Sequence, residues 1–408
     1  MREKTSGEKP ARWLGILADP EVGPAEVAGY LAEHLPTELS EAVGDEFDWK
    51  ITVEYERLPA GSHEHTAMIN RAEVWKADGE LDLVVCITDL PMRTGRNPVA
   101  AELSTDHGVA VVSLPAFGGM AWRRRSTEVV VHLTIELLGL EAGPDHGRSK
   151  GTDRGTARHG GHRLSRRLRV EPVDNDSIDR RIVTTRGGLR LLIGMVRDNR
   201  PWRLAMGLSR AVVAAFALSA FYLVSSGVWE LSNALGPVRL AAGTVGSLAV
   251  LVCWLIIRHN LWEFSHQGGD RRYNRDQVVL FNATTVLTLT VGAFCLYLVL
   301  FLAVLAAAFL FVSGDVVASY AGSGGLSTYL NLAWMTSSVA TLAGALGAGL
   351  DSEKAVRAAA YSTRERERRA SWEKERRHQD ETEEELSDPE YRRQSEQQEP
   401  DTDVDTAS

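Results

Sequence analysis

From Trp13 onward, short apolar runs alternate with stretches whose apolar residues recur every three or four positions, the pattern of strands exchanging with amphipathic helices. Runs 13–18, 49–56, 83–88 and 109–114 read as strands, and 24–39, 65–77, 99–106 and 126–140 read as helices between and after them. In the last of these, Val129, His132, Leu133, Glu136 and Leu137 fall at helical spacing. Strands that alternate with helices predict an α/β fold, a small doubly wound parallel sheet over residues 1–145. Such sheets take ligands beyond the carboxyl ends of their strands. The loops starting at Asp19, Asp89 and Pro115, with Ser113 beside them, are therefore the default site.

After residue 203 the pattern changes to four long uncharged runs, 211–229, 240–257, 282–312 and 326–350. Each approaches or exceeds the ~20 helical residues that cross a hydrocarbon core, so residues 204–350 read as an α-helical four-span membrane domain. The third run is overlong and, with only Gly292 to turn on, reads as one helix that tilts or projects from the bilayer. Arginines set the orientation, because basic residues stay on the cytoplasmic side. Arg190, Arg197, Arg200, Arg203 and Arg210 precede the first span, and Arg258, Arg271, Arg272 and Arg275 lie between the second and third; the opposite loops carry only Arg239. This distribution predicts a multipass protein of the cell membrane with both termini cytoplasmic.

The remaining segments are polar. Residues 146–185 read as a flexible basic linker, rich in Gly, Arg and His near its start. In 186–203, Leu189, Leu192, Ile193 and Val196 form a stripe flanked by arginines, which predicts an interfacial amphipathic helix lying on anionic lipid headgroups. Residues 351–408 read as a charged helix followed by a disordered acidic tail. That tail explains the net charge of -9, since twelve Asp or Glu stand against two Arg after Gln379. An acidic whole therefore does not mean an acidic folded surface.

Candidate chemistry is sparse. Asp19 and Asp89 are carboxylates of the kind that suit Mg²⁺, although capping the following turn is their ordinary role. Cys86, Cys253 and Cys295 stand far apart and form no disulfide or zinc spacing. His63 and His65 lie in a polar loop, and His132 with Glu136 lacks two essential positions of a zinc helix. There is no Gly-rich nucleotide loop, so the cofactor stays unassigned and no metal site is expected. The four apolar runs contain no ionisable residue. Ala340, Gly344 and Ala348 at four-residue spacing give a small face that allows close helix contact within the chain or in a homo-oligomer. The bilayer and its anionic headgroups are the expected partners, and nucleic acid is not.

Leu90, Pro91 and Gly95 after the third strand, with 109–118 behind them, resemble bacterial response-regulator receiver domains. Ile87 occupies the phospho-acceptor position and Asp19 is the single acid ending the first strand, so the resemblance implies a related topology without the chemistry. Taken whole, segments 83–95 and 111–117, and the stretch Gly194 to Arg197 with Asn199 to Arg203, resemble uncharacterised multipass membrane proteins of high-GC bacteria. Members of that group are sometimes named methylenetetrahydrofolate dehydrogenase. The Tyr-x-x-x-Lys pair of the soluble folate enzymes is not present: four residues after Tyr30 and Tyr55 stand His34 and Pro59. The expected function is a ligand-sensing or protein-docking domain on a membrane anchor. The rival expectations are an enzyme using Asp19, Asp89 or Ser113 at the membrane face and, more remotely, a channel or carrier.

Overall fold

The computed structural model describes residues 9–58, 64–95, 97–140, 168–175, 178–184, 187–263, 271–321 and 325–349, with Val356, Arg357 and Arg366. Apart from Val356, Arg357 and Arg366, the charged segment 351–408 lies outside the described residues, as do residues 146–167 of the expected linker.

Strands β1 (Ala11–Ala18), β2 (Asp48–Tyr55), β3 (Leu83–Thr88) and β6 (Val109–Ser113) pair in parallel in the order β2-β1-β3-β6. Helix α1 (Val22–Val43) and helix α3 (Trp122–Leu137) cover one face, and α2 (Glu64–Asp78) covers the other. This explains why the strands read as unbroken apolar runs: Leu83, Val85 and Ile87 enter one core, while Val84 and Cys86 enter the other. Burying both faces of β3 removes about 25 cal/mol per Å² of apolar surface from water, the main local source of stability.

The sheet is mixed rather than purely parallel. Residues expected as the helix 99–106 form strand β5 (Asn97–Ser104), antiparallel to β6, with the short β4 (Met92–Thr94) turned back on it. Alanines and a glutamate mimic a helix here, but tertiary burial overrides their propensity: Val99 to Ser104 are all buried. The sheet then continues through β8 (Ile178–Thr184) to β7 (Leu168–Asn175), an antiparallel hairpin. Residues 168–184, expected to belong to a linker, thus complete the domain. The reason is charge neutralisation across the strands: Arg181 reaches the buried Glu102 at 2.5 Å, and Arg180 pairs with Glu136. The Arg180–Glu136 pair stitches the hairpin to α3, where Glu136 also stands 3.4 Å from His132.

A helical region follows: α4 (Gly188–Asp198), α5 (Arg203–Gly207), α6 (Ser209–Leu223), α7 (Ser226–Ala234), α8 (Pro237–Arg258), α9 (Arg271–Phe311), α10 (Gly314–Ala321) and α11 (Leu326–Ala348). Two helices, α8 and the Val278–Phe311 part of α9, are long and apolar enough to cross a membrane. The first expected span is broken into α6 and α7, bent by 92°, and counts as a third only if the pair is one span. The break is stabilised by the Trp229 indole, which donates to the exposed-end carbonyl of Leu223 at 3.1 Å. The fourth run forms α11, which is enclosed by α6, α8 and α9. Part of its polar face bonds within the chain: the Trp334 indole donates to Thr244 at 2.7 Å, and Ser338 and Tyr297 join the same cluster. The small face of α11 packs within the chain, since a Cβ on Gly344 would stand 3.4 Å from the Ala211 carbonyl oxygen of α6.

Candidate functional site at the strand ends and the joint

The reversal of strand order lies between β1 and β3, so the crevice at their carboxyl ends is where a doubly wound sheet places its ligand. Asp19 ends β1 and is fully buried. Its Oδ1 accepts the Leu58 amide at 3.0 Å and its Oδ2 accepts the Thr88 hydroxyl at 2.8 Å. Thr88 in turn accepts the Leu90 amide at 3.2 Å. Ser113, also buried, donates to the Leu90 carbonyl at 2.6 Å and accepts the Met92 amide at 3.4 Å. The structure therefore brings Asp19 and Ser113 to one loop, 88–92, through Thr88 and Leu90. Asp89 is buried on that same loop.

These side chains hold backbone. Asp19 ties the ends of β1 and β3 to the segment after β2, and Ser113 ties the end of β6 to the turn before β4. Among the described residues no group of three or more His, Cys, Asp or Glu is placed to hold a metal ion. The Cys86 thiol, two residues before Thr88 in β3 and packed under α2, is pushed well above its ordinary range by burial, with Asp19 adding to the effect, so it is a core group rather than a nucleophile.

A second cluster sits beside this crevice, and sequence reasoning did not single it out. β6 ends in a 3-10 turn, Leu114–Phe117, and the chain reverses through Gly118 to start α3 at Trp122. Helix α4 lies against this turn so closely that a Cβ on Gly194 would stand 2.1 Å from the Pro115 carbonyl oxygen. From α4, Arg197 donates to the Gly118 carbonyl at 2.8 Å and places its guanidinium 4.2 Å above the Trp122 ring. Arg197 also donates to Asp198 Oδ1 at 2.7 and 2.9 Å. The Asp198 side chain is 9 % exposed, its Oδ2 has no hydrogen-bond partner, and its Oδ1 lies 3.7 Å from where a Cβ on Gly23 would stand, in the first turn of α1. Burial pushes the Asp198 carboxyl up to about 6 against the opposing pull of Arg197. The available signal in the sequence was that Asp198 is the sole acid between Arg186 and Arg210.

The other face of α4 meets α9. Leu191 and Met195 cluster with Phe281, Met195 accepts the Thr284 hydroxyl at 3.6 Å, Asn199 donates to Thr288 at 3.2 Å, and Gly292 backs onto Pro201 and Leu204. Both numbers rise together along this ladder, so α4 runs alongside α9 in the same direction. The stripe expected to lie on lipid is divided: Val196 is buried in protein and Leu192 half-buried, while Leu189 and Ile193 remain exposed. Helix α4 thus packs between the 3-10 turn at the strand ends and α9, with Leu189 and Ile193 of its stripe left exposed. Helix α4 ends at Asp198, short of the expected boundary at 203, and Arg200 before Pro201 takes a left-handed φ of 50°. No protein-family model, curated protein or solved structure matches this chain.

Proposed function

We propose that this chain is a multipass membrane protein whose α/β domain senses a ligand, or docks a partner protein, at the cytosolic face and passes that state to the helices. One observation carries the reading: α4 bridges the 3-10 turn at the strand ends and the amino-terminal part of α9, so an occupant of the strand-end crevice meets the element that leads into the membrane half. In this reading α6 with α7, α8, α9 and α11 make four spans, and both termini are cytosolic. The exposed Val245, Ile257, Phe294, Leu298, Leu302 and Leu310 support lipid contact. Arg200 and Arg203 beside the exposed Trp202 suit a headgroup layer of anionic lipid.

The hydrogen bonds of Asp19 and Ser113 favour sensing over catalysis, because both side chains already hold loops. The test is a thermal-shift screen of the full-length protein in one detergent against nucleotides, folates and divalent metals, with product analysis of every hit. The expected result is a class of ligand that raises the Tm and is recovered unchanged. Recovery of a converted product would overturn the non-enzymatic reading and return Asp19, Asp89 and Ser113 to candidacy as catalytic groups.

A further inference from the structure

The turn that carries β6 into α3 leaves an apolar side chain in the open. Met120 is 80 % exposed, against 53 % for Tyr55 and Val74, the next most exposed large apolar residues of the α/β domain among the described residues. It stands between two left-handed residues, Gly118 at a φ of 80° and Ala121 at 52°. A left-handed alanine is uncommon, so this turn has a specified shape rather than an arbitrary one. Helix α4 continues the patch: a Cβ on Gly119 would stand 2.8 Å from Ile193 Cγ2, and Leu189, one turn earlier on the same face, is exposed. Single exposed apolar side chains need no explanation, but adjoining ones framed by charge of one sign mark an interaction surface.

The frame is basic. Segments 118–125 and 187–206, which build the patch, hold seven arginines and one acid, Asp198. Arg197 is bonded to that acid, and Glu26 and Glu128 pair with Arg123 and Arg124, so positive charge is left in surplus. Position narrows the choice of occupant. Leu191 and Met195 pack on Phe281, and Asn199 bonds to Thr288, while the part of α9 that is long and apolar enough to cross a membrane already begins at Val278. Where α9 crosses a bilayer, α4 is held at the level of its entry.

We propose that Met120, Leu189 and Ile193 form a foot that seats the α/β domain on anionic lipid, with Arg124, Arg200 and Arg203 meeting lipid phosphates. This rests on the membrane reading above and adds that the sheet domain itself touches lipid, through the turn beside the strand-end crevice. Methionine suits the tip, because its unbranched, polarisable chain adapts to irregular surroundings. Guanidinium groups suit phosphate, which they bind through paired donors. The Arg124–Glu128 pair is at the surface, where such pairs are worth little, so phosphate competes for Arg124. Three apolar side chains hold a bilayer weakly by themselves, so the foot depends on negative lipid charge.

Full-length protein is reconstituted into vesicles of phosphatidylcholine with and without phosphatidylglycerol. Nitroxides are attached one at a time through Met120→Cys, Val74→Cys and Val245→Cys in a background of Cys253→Ser and Cys295→Ser, Cys86 being buried. Val74 is exposed on α2, across the sheet from α3, and Val245 is exposed within α8. Collisions with oxygen, which dissolves in lipid, are compared with collisions with a neutral nickel chelate, which stays in water. In anionic vesicles the oxygen-to-nickel ratio at 120 is expected to be several-fold above that at 74 and below that at 245. It should fall toward the value at 74 in phosphatidylcholine alone, and in anionic vesicles when Arg124→Gln and Arg203→Gln are added. Equal ratios at 120 and 74 in anionic vesicles, with 245 in lipid, overturn the foot and leave the membrane reading standing. Water access at 245 overturns the membrane reading itself. Exclusion of both reagents from 120 means that protein covers the patch, which overturns the lipid assignment, and an unchanged ratio in phosphatidylcholine alone overturns the need for anionic lipid.

Discussion

The α-carbon of Gly194 faces the carbonyl of Pro115 with no room for a methyl group, since a Cβ would lie 2.1 Å from that oxygen. The contact joins the helix that leads to the helical half with the turn that ends the last parallel strand. Backbone against backbone leaves no flexible side chain to move aside, so the joint has little slack.

Gly194→Ala should therefore destabilise the full-length protein by about 3 kcal/mol, even though alanine is the better helix former by ~1 kcal/mol. Gly29→Ala is the matched control: Gly29 is within α1 with nothing inside 4 Å of an added Cβ, and the same change there should stabilise by up to ~1 kcal/mol. Unfolding midpoints measured in one detergent check the contrast. Equal effects of the two substitutions would show that α4 does not rest on the 3-10 turn.

Asp198 makes stability depend on pH in the unusual sense for a carboxylate. Its folded pKa of about 6 lies above the ordinary 3.8, so the folded state holds the proton more firmly than the unfolded one. Stability is then greatest below the unfolded value and falls as pH rises from about 4 to 6, by roughly 3 kcal/mol at most from this group. Asp198→Asn should raise the Tm at pH 7.5 and have little effect at pH 4. A variant less stable than the parent at pH 7.5 would mean that the Arg197 ion pair outweighs burial.

The hairpin β7–β8 belongs to the α/β domain if Arg181 neutralises Glu102, whose side chain is 1 % exposed. Arg181→Met removes the Arg181 partner of that buried carboxylate and should cost about 3 kcal/mol, whereas Glu102→Leu with Arg181→Met should recover most of the loss. A loss below ~1 kcal/mol in the single variant would detach the hairpin from the stability of the sheet.

Orientation is testable by reporter fusion. Alkaline phosphatase joined after Ser408 should be inactive and, placed between Ser319 and Ser327, active, because basic residues stay cytoplasmic. The opposite pattern would put the sheet on the outer face and remove the proposed cytosolic role.

How much of this was legible in the chain varies with how local the cause is. The strands β3 and β6 were readable because burial on both faces writes a continuous apolar run, and the edge strand β2 because Trp49, Ile51 and Val53 alternate with polar residues. β5 was not, because the charge of Glu102 is cancelled by Arg181, 79 residues away, and no local pattern records that. The same holds for β7 and β8, whose arginines look solvated until their partners are known. In the helical half, α9 was readable as one helix, while the bend after Leu223 was hidden in an unbroken apolar run. At the site, Asp19 and Ser113 were identifiable from strand ends. Asp198 was not, because an aspartate within an arginine-rich helix suggests a surface ion pair, and only the closeness of Gly194 to Pro115 brings it to α1.

Helix α9 is unbroken over 41 residues, about 60 Å at 1.5 Å per residue. It touches α4 near its start, at Phe281 and Thr284, and Phe309 near its far end stacks on Tyr329 of α11 with ring centroids 4.4 Å apart. Between those two contacts its middle is buried at Leu289, Ala293, Leu296 and Leu300. One uninterrupted ladder of backbone hydrogen bonds therefore runs from the helix that touches the sheet to the aromatic contact with α11.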